Sequence, residues 1–218
     1  MGAVLEHGLY VITDCEKLPP ADLLAKSDPI LQAGIAALQY RNKRDPYAAR
    51  RGQALALREV CRRYGTPFIV NDDLELAMEV GADGVHLGRD DPSCAEARSR
   101  LGAHALIGVS CYDSINQGLA TQQAGASYVA FGAFFPTTTK IARAAPDIGL
   151  LRQARAALDL PIVAIGGIKV DNAAALLEAG ADVLAVVSSV YGAADPARAV
   201  REFNALFERH LNFLRQTL

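Results

Sequence analysis

The chain has 218 residues, of which 51% are apolar, and its formal net charge is −2. This composition can fill one large core, and the lack of a basic run argues against a nucleic-acid partner. No apolar stretch reaches the roughly 20 residues that a membrane helix needs, and the N-terminus lacks the pattern of a signal peptide. We therefore expect a cytoplasmic protein with neither a membrane nor a nucleic-acid partner. A homo-oligomer is a possibility that the sequence leaves open.

The cysteines and histidines form no recognisable metal or disulfide motif. The four cysteines are widely spaced, without a CxxC pair, and the four histidines are scattered, without an HExxH pattern. In the cytosol such cysteines are free thiols. We therefore expect neither a disulfide framework nor a zinc centre.

Strand and helix periodicities alternate along the whole chain. The eight predicted strands are Leu9–Thr13, Ala36–Arg41, Phe68–Asn71, Gly84–Leu87, Leu106–Ser110, Tyr128–Phe134, Ile162–Ile165 and Val183–Ser188. The eight predicted helices are Ala21–Ala33, Tyr47–Tyr64, Leu74–Val80, Cys94–Leu101, Ser114–Ala124, Gly149–Leu158, Val170–Ala179 and Pro196–Leu214. Strands apolar enough to be buried on both faces favour an α/β fold of the (β/α)8 TIM-barrel type over an open sheet. We predict one domain over residues 1–218.

A short repeat closes four of these helices. Each copy places a glycine after an apolar or alanine-containing segment and before the next strand, at Gly34, Gly81, Gly125 and Gly180. Glycine at this point can adopt the left-handed conformation that ends a helix. In a barrel, function belongs to the loops that follow the strands, so the strand ends are the places to examine.

Acidic pairs follow the third and fourth strands: Asp72 with Asp73, and Asp90 with Asp91. Consecutive parallel strands end on the same side of a sheet, so the two pairs should lie together. Oxygen ligands without nearby cysteine suit Mg²⁺, which usually takes its remaining ligands from water and a substrate phosphate. Capping of the following helix is the alternative for Asp72 and Asp73, and one residue can cap while its neighbour binds metal.

The second strand ends in a polar, cationic segment, Gln39–Lys43. Because strand side chains alternate, Gln39, Arg41 and Lys43 share one face, whereas Tyr40 and Asn42 share the other. A cationic row is costly if buried without partners, but it is suited to meeting an anion at the barrel mouth. An incidental solvated strand end is the alternative.

The later strands end in further hydroxyl groups and glycines. Ser110 ends the fifth strand, and a long loop with Thr137, Thr138, Thr139 and Lys140 follows the sixth. That loop is either an active-site lid that binds phosphate or a plain surface loop. Barrels commonly bind phosphate between the loops after the seventh and eighth strands, here at Gly166–Gly167 and Val187–Ser188.

The mouth thus offers two predicted anion sites. One combines Arg41 and Lys43 with a metal held by Asp72 and Asp91, and the other combines Gly167 and Ser188 with the threonine loop. Two phosphorylated small molecules bound in one mouth suggest a transferase that joins them, with diphosphate as a metal-bound leaving group.

Seven motifs in this order make the sequence resemble the thiamine phosphate synthase family, over most of the chain. They are Gln39–Lys43, Asn71–Asp73, Gly84–Gly88 with Asp91, Gly108–Ser110, Pro136–Lys140, Ile165–Ile168 and Val187–Ser188. The resemblance implies condensation of hydroxymethylpyrimidine diphosphate with a thiazole phosphate, giving thiamine phosphate and diphosphate. It also implies a dissociative reaction, in which diphosphate leaves before the thiazole nitrogen attacks.

The resemblance assigns three sets of residues. The pyrimidine diphosphate would be bound by Gln39, Tyr40, Arg41, Asn42, Lys43, Asn71, Ser110 and Lys140, of which Arg41, Lys43, Ser110 and Lys140 would act in catalysis. The thiazole phosphate would be bound by Thr137, Thr138, Thr139, Gly167, Val187 and Ser188. Mg²⁺ would be held by Asp72 and Asp91.

Three features depart from the family pattern. Arg89 stands where Gln is common, Tyr112 stands where His is frequent, and the segment Ile141–Ile148 is poor in the usual pattern. None of these departures removes a metal ligand or a cation of the diphosphate site. A related barrel, the thiazole tautomerase, handles only the thiazole ring and has no need of the cationic row or the acidic pair. A non-catalytic sensor of phosphorylated ligands on the same barrel is a further alternative.

Overall fold

The architecture comes from a computed structural model, in which residues 5, 7–136 and 146–217 are described. Its strands are β1 (Gly8–Ile12), β2 (Ala37–Tyr40), β3 (Phe68–Asn71), β4 (Gly84–Leu87), β5 (Leu106–Tyr112), β6 (Tyr128–Gly132), β7 (Ile162–Ile165) and β8 (Val183–Val186). Its helices are α1 (Pro20–Gln32), α2 (Tyr47–Tyr64), α3 (Leu74–Val80), α4 (Cys94–Leu101), α5 (Ile115–Gln123), α6 (Gly149–Ala157), α7 (Val170–Glu178), α8 (Ser188–Tyr191) and α9 (Pro196–Thr217).

The eight strands pair in chain order, and all pairs are parallel. β8 pairs with β1, for example at Leu184 with Leu9, so that the sheet closes on itself. Every strand end that precedes a helix therefore lies at one rim, which we call the mouth. The prediction of a (β/α)8 barrel is confirmed.

The core has two layers. One lies between the strands and the surrounding helices, and it contains residues such as Val11, Leu38 and Phe131. The other fills the barrel interior. Two tyrosines, Tyr10 and Tyr128, occupy that interior, so it holds hydroxyl groups as well as aliphatic side chains. The interior is thus polar directly below the mouth.

The glycine repeat closes the rim opposite the mouth. The four glycines have φ values of 85°, 63°, 86° and 106° at Gly34, Gly81, Gly125 and Gly180. Three of their carbonyls accept a hydrogen bond from a neighbouring helix: Arg58 Nε donates at 2.6 Å, Arg98 Nη2 at 2.8 Å and Asn204 Nδ2 at 2.9 Å. The repeat thus ends helices in the left-handed conformation, as predicted.

Strand ends near the mouth differ from the sequence prediction by one residue in β1 and β2, and by two residues in three other strands. β8 stops at Val186, because Val187 turns to ψ −82° and Ser188 opens the short helix α8. β6 ends at Gly132 rather than Phe134. β5 continues to Tyr112 through a register shift against β6, which is a local irregularity that alternation cannot predict.

None of the helices in the described ranges combines the length and the apolar character needed to cross a membrane. Three cysteines are buried and Cys15 is half-buried, and each of the four carries a free thiol.

Candidate active site

The acidic residues after β3 and β4 meet at the mouth. Asp72 has a left-handed φ of 63°, and its N–H donates to the His86 carbonyl at 2.8 Å, which turns the residue toward β4. Its Oδ2 lies 2.7 Å from Lys43 Nζ. Asp91 is held by the Gly88 N–H, which donates to Asp91 Oδ2 at 2.6 Å. The two carboxyl groups are within hydrogen-bonding reach of each other.

The surroundings shift the pKa values of the two carboxyl groups in opposite directions. Burial acts to raise the pKa of Asp72, but hydrogen bonds from Lys43 and Asp91 hold that pKa below its usual value. Burial raises the pKa of Asp91 above its usual value, helped by the charge of Asp72 and opposed by the Gly88 N–H. Opposite shifts of this kind are expected of two carboxyl groups that share one small site, where their like charges repel. A cation bound between the two groups would relieve that repulsion.

The donor set fits a hard divalent cation such as Mg²⁺. It offers carboxylate oxygens from Asp72 and Asp91 and no sulfur or imidazole. Within the described ranges, no cluster of three or more His, Cys, Asp or Glu side chains could hold a metal. A metal bound at this pair would therefore take its other ligands from water and substrate. Mg²⁺ is usually coordinated in this way in proteins.

Asp73 has a different role from its neighbour. It is the N-cap of α3, where its Oδ1 accepts from the Leu76 N–H at 2.9 Å. Its Oδ2 accepts from Arg50 Nη1 at 3.0 Å. The helix-capping alternative therefore holds for Asp73 alone, and Asp72 is left to face Lys43 and Asp91.

The predicted cationic row lies at the mouth beside this pair. Thr13 after β1 accepts the Arg41 N–H at 2.9 Å, which ties the end of β2 to the neighbouring loop. The Arg41 guanidinium donates to Glu16 Oε1 at 3.1 Å. Gln39 lies two residues before Arg41, on the same face of the strand. It is buried in the barrel interior and donates from Nε2 to Tyr10 Oη at 2.9 Å. The row therefore runs from the interior at Gln39 out to solvent at Lys43.

Tyr40 and Asn42 point away from the mouth, toward α2. Tyr40 Oη donates to Gln53 Oε1 at 2.7 Å, and Asn42 Nδ2 donates to the same oxygen at 2.9 Å. Both side chains are buried there. Their place in the predicted pyrimidine diphosphate site conflicts with this orientation, because strand alternation turns them to the outer face. We leave their side chains out of the proposed site.

Ser110 and Asn71 reach the mouth from β5 and β3, and both are half-buried. Ser110 Oγ lies 2.9 Å from His86 Nε2, and His86 Nδ1 lies 3.1 Å from Tyr128 Oη. Sequence reasoning assigned no role to His86 or Tyr128, although His86 lies within the Gly84–Gly88 motif. Each is a polar or amphipathic side chain at an interior position of a strand.

The second predicted anion site lies between β7 and β8. Gly167 has a φ of 62°, and a Cβ built there would lie 2.4 Å from the Pro136 carbonyl oxygen. Asn172 Nδ2 donates to the Gly167 carbonyl at 3.1 Å. Val187 and Ser188 follow β8, with Ser188 exposed as the first residue of α8. The remaining predicted residues of this region, Thr137, Thr138, Thr139 and Lys140, lie outside the described residues.

Arg89 and Tyr112, the two residues that depart from the family pattern, contact each other. The guanidinium carbon of Arg89 lies 4.9 Å from the centre of the Tyr112 ring, a cation–π contact. Tyr112 adopts a left-handed φ of 57° at the β5 irregularity. The side chains at these two positions thus form one pair beside the acidic site.

A (β/α)8 barrel whose mouth collects paired carboxylates and cations has the architecture of an enzyme acting on small phosphorylated molecules. Comparison with known proteins identifies the family of enzymes to which the chain belongs. The sequence model of the thiamine monophosphate synthase family matches residues 9–190.

Relatives named as thiamine-phosphate synthases match this chain over nearly their whole length. The chain is 52% identical to a thiamine-phosphate synthase of Azoarcus sp. strain BH72, covering 92% of this chain and 97% of the relative. It is 54% identical to one of Xanthomonas campestris, covering 92% and 96%. The solved structure of thiamine phosphate pyrophosphorylase from Pyrococcus furiosus matches with a TM-score of 0.85 and 34% identity, covering 95% of this chain and 98% of the other. The chain belongs to the thiamine monophosphate synthase family, and it is an enzyme, a transferase of thiamine biosynthesis.

Proposed function

We propose that this enzyme condenses hydroxymethylpyrimidine diphosphate with a thiazole phosphate, giving thiamine phosphate and diphosphate. The observation that carries the proposal is the meeting of Asp72, Asp91 and Lys43 at one side of the mouth, with Arg41 two residues before Lys43, in a chain of this family. A diphosphate leaving group needs cations and a divalent metal around it, and this group of residues provides both kinds of partner.

The reaction proposed is dissociative, so the protein's task is to stabilise charge on the departing diphosphate. Arg41 presents a planar fork of donors and Lys43 a point charge to the phosphate oxygens. Asp72 and Asp91 would hold Mg²⁺, which supplies Lewis-acid neutralisation of the leaving diphosphate. Because these groups are held by the strand ends before substrate arrives, little reorganisation is needed as charge develops.

The thiazole phosphate is proposed to bind on the opposite side of the mouth. Gly167, without a side chain, lets Phe135 and Pro136 pack directly against its backbone, and Val187 and Ser188 lie at the neighbouring strand end. Thr137, Thr138 and Thr139 complete this proposed site, and Lys140 the diphosphate site. Binding both reactants in one mouth supplies proximity, so no protein nucleophile is required.

The purified protein should form thiamine phosphate from the two phosphorylated substrates and Mg²⁺, as followed by chromatography. Reactions that lack either substrate, or that contain a chelator, are the controls. Absence of product with both substrates and Mg²⁺ would overturn the proposal. Conversion of the thiazole substrate alone would instead favour a tautomerase.

A further inference from the structure

A continuous chain of hydrogen bonds crosses the barrel interior below the mouth. Gln39 Nε2 donates to Tyr10 Oη at 2.9 Å, and Tyr10 Oη lies 2.8 Å from Tyr128 Oη. Tyr128 Oη lies 3.1 Å from His86 Nδ1, and His86 Nε2 lies 2.9 Å from Ser110 Oγ. The five residues come from five different strands, so only the closed barrel assembles them.

The interior members of the chain are sealed from water. Tyr10 and Tyr128 are fully buried, and burial raises the pKa of each hydroxyl far above its usual value. Both tyrosines therefore keep their protons. Each hydroxyl has one proton to donate and lone pairs to accept with, so the direction of the bonds along the chain is restricted.

The amide of Gln39 sets that direction. Since its Nε2 donates to Tyr10, the Tyr10 proton is directed to Tyr128, and the Tyr128 proton is directed to His86 Nδ1. A neutral imidazole that accepts at Nδ1 carries its proton on Nε2. His86 then donates to Ser110 Oγ, and the proton of Ser110 itself points elsewhere.

We propose that this chain holds His86 as the Nε2–H tautomer and so commits the Ser110 hydroxyl to donate to an acceptor atom of the bound ligand. Tyr10, Tyr128 and His86 are thereby positioning residues, which act through Ser110. Under the proposed function, on which the ligand's identity rests, the acceptor is a ring nitrogen or an ester oxygen of the pyrimidine diphosphate. An exocyclic amino group at that point is excluded, because it is a donor.

Packing alone would make a different prediction. The Tyr10 and Tyr128 rings meet edge to face at 5.8 Å, and the His86 and Tyr128 rings stack at 5.7 Å. These contacts survive loss of a hydroxyl, and they do not depend on which nitrogen of His86 carries the proton. The tautomer therefore separates a positioning role from a structural one.

The test is ¹⁵N–¹H NMR of the imidazoles in the ligand-free protein, with the His86 signals assigned by their loss in His86→Gln. The wild type should show a single Nε2–H tautomer. Tyr10→Phe keeps the ring but removes the link to Gln39, so His86, two bonds further along, should become a mixture of both tautomers. Tyr191→Phe is the matched control: it removes a buried hydroxyl that bonds Ser27 Oγ at 2.7 Å outside the barrel interior, and it should leave His86 unchanged.

Steady-state kinetics give the second readout. Tyr10→Phe should raise the KM for the pyrimidine substrate by about tenfold, the size of one neutral hydrogen bond. The KM for the thiazole phosphate should stay as in the wild type, and Tyr191→Phe should change neither. An unchanged pyrimidine KM would refute the link to Ser110.

An Nδ1–H tautomer in the wild type, or an unaltered tautomer in Tyr10→Phe, would overturn the proposal. An Nδ1–H tautomer in the wild-type spectrum refutes the proposal even if Tyr10→Phe does not fold. Because that spectrum is recorded without substrate, its result is independent of whether the proposed condensation occurs.

Discussion

Replacement of Arg41 by Met tests whether departure of diphosphate is the step that this mouth promotes. Met keeps much of the aliphatic stem but removes the guanidinium, whose contact in the ligand-free structure is Glu16 Oε1 at 3.1 Å. The Arg41 side chain is 14% exposed and that of Glu16 is 43% exposed. Because the Glu16 carboxylate is open to solvent, the ion pair contributes at most about 1 kcal/mol to folding. The variant should therefore fold, with a small change in urea midpoint.

The catalytic cost should be larger than the folding cost. A charged donor aimed at a developing anion is worth roughly 3–4 kcal/mol in the transition state, a rate factor of a few hundred. The loss should appear mainly in kcat, with a smaller rise in the KM for the pyrimidine substrate. Arg41→Lys should recover part of it, because an ammonium cannot make the bidentate contact.

Arg44→Met is the matched control for this variant. Arg44 contacts the same loop from its other side, donating from Nη1 to the Glu16 carbonyl oxygen at 2.7 Å, but it has no place in the proposed site. Its replacement should leave kcat near the wild-type value. An unchanged kcat in Arg41→Met, or an equal loss in Arg44→Met, would refute the assignment of Arg41 to the leaving group.

Three further variants and one control variant separate metal binding, helix capping and barrel packing. Asp91→Asn should lower turnover by roughly a hundredfold or more and weaken Mg²⁺ binding measured by calorimetry, since it removes one of two metal carboxylates; full activity at ordinary Mg²⁺ would contradict this. Asp73→Ala should cost about 1 kcal/mol of stability by loss of the α3 N-cap, seen in urea unfolding, while kcat is retained. Gly84→Ala should destabilise by about 3 kcal/mol or more, because its Cβ would lie 1.9 Å from a backbone oxygen of β5. Gly52→Ala, on an exposed helix position with nothing within 4 Å, should instead stabilise by up to about 1 kcal/mol in the same assay.

Local patterns were sufficient to predict the barrel. Eight short apolar strands that alternate with helices, four of which end in the same glycine-containing repeat, favour a closed parallel sheet. The meeting of Asp72 and Asp91 was also predictable, because consecutive parallel strands must end side by side. Assigning separate roles to Asp72 and Asp73 required the structure, since either residue type can cap a helix or bind a metal.

The interior chain could not be predicted in the same way. Tyr10 and Tyr128 are 118 residues apart and meet only through barrel closure. Each one separately is an ordinary amphipathic residue in an apolar strand. Tyr40 shows the opposite case: the resemblance placed it among ligand-binding residues, whereas strand alternation, correctly, placed it on the face opposite Gln39.

The ion pairs at the mouth have a consequence for how a ligand enters. Arg41 and Lys43 already hold carboxylate counterions, Glu16 and Asp72, in the ligand-free protein. Binding of an anionic ligand is therefore an exchange of one negative partner for another, and its free energy is the difference between the two partnerships. A monovalent anion gains little by such an exchange. Under the proposed function, a diphosphate that binds together with a divalent cation gives Asp72 a new partner while Lys43 turns to the phosphate. We therefore expect the ion pairs at the mouth to favour such a ligand over simple salts.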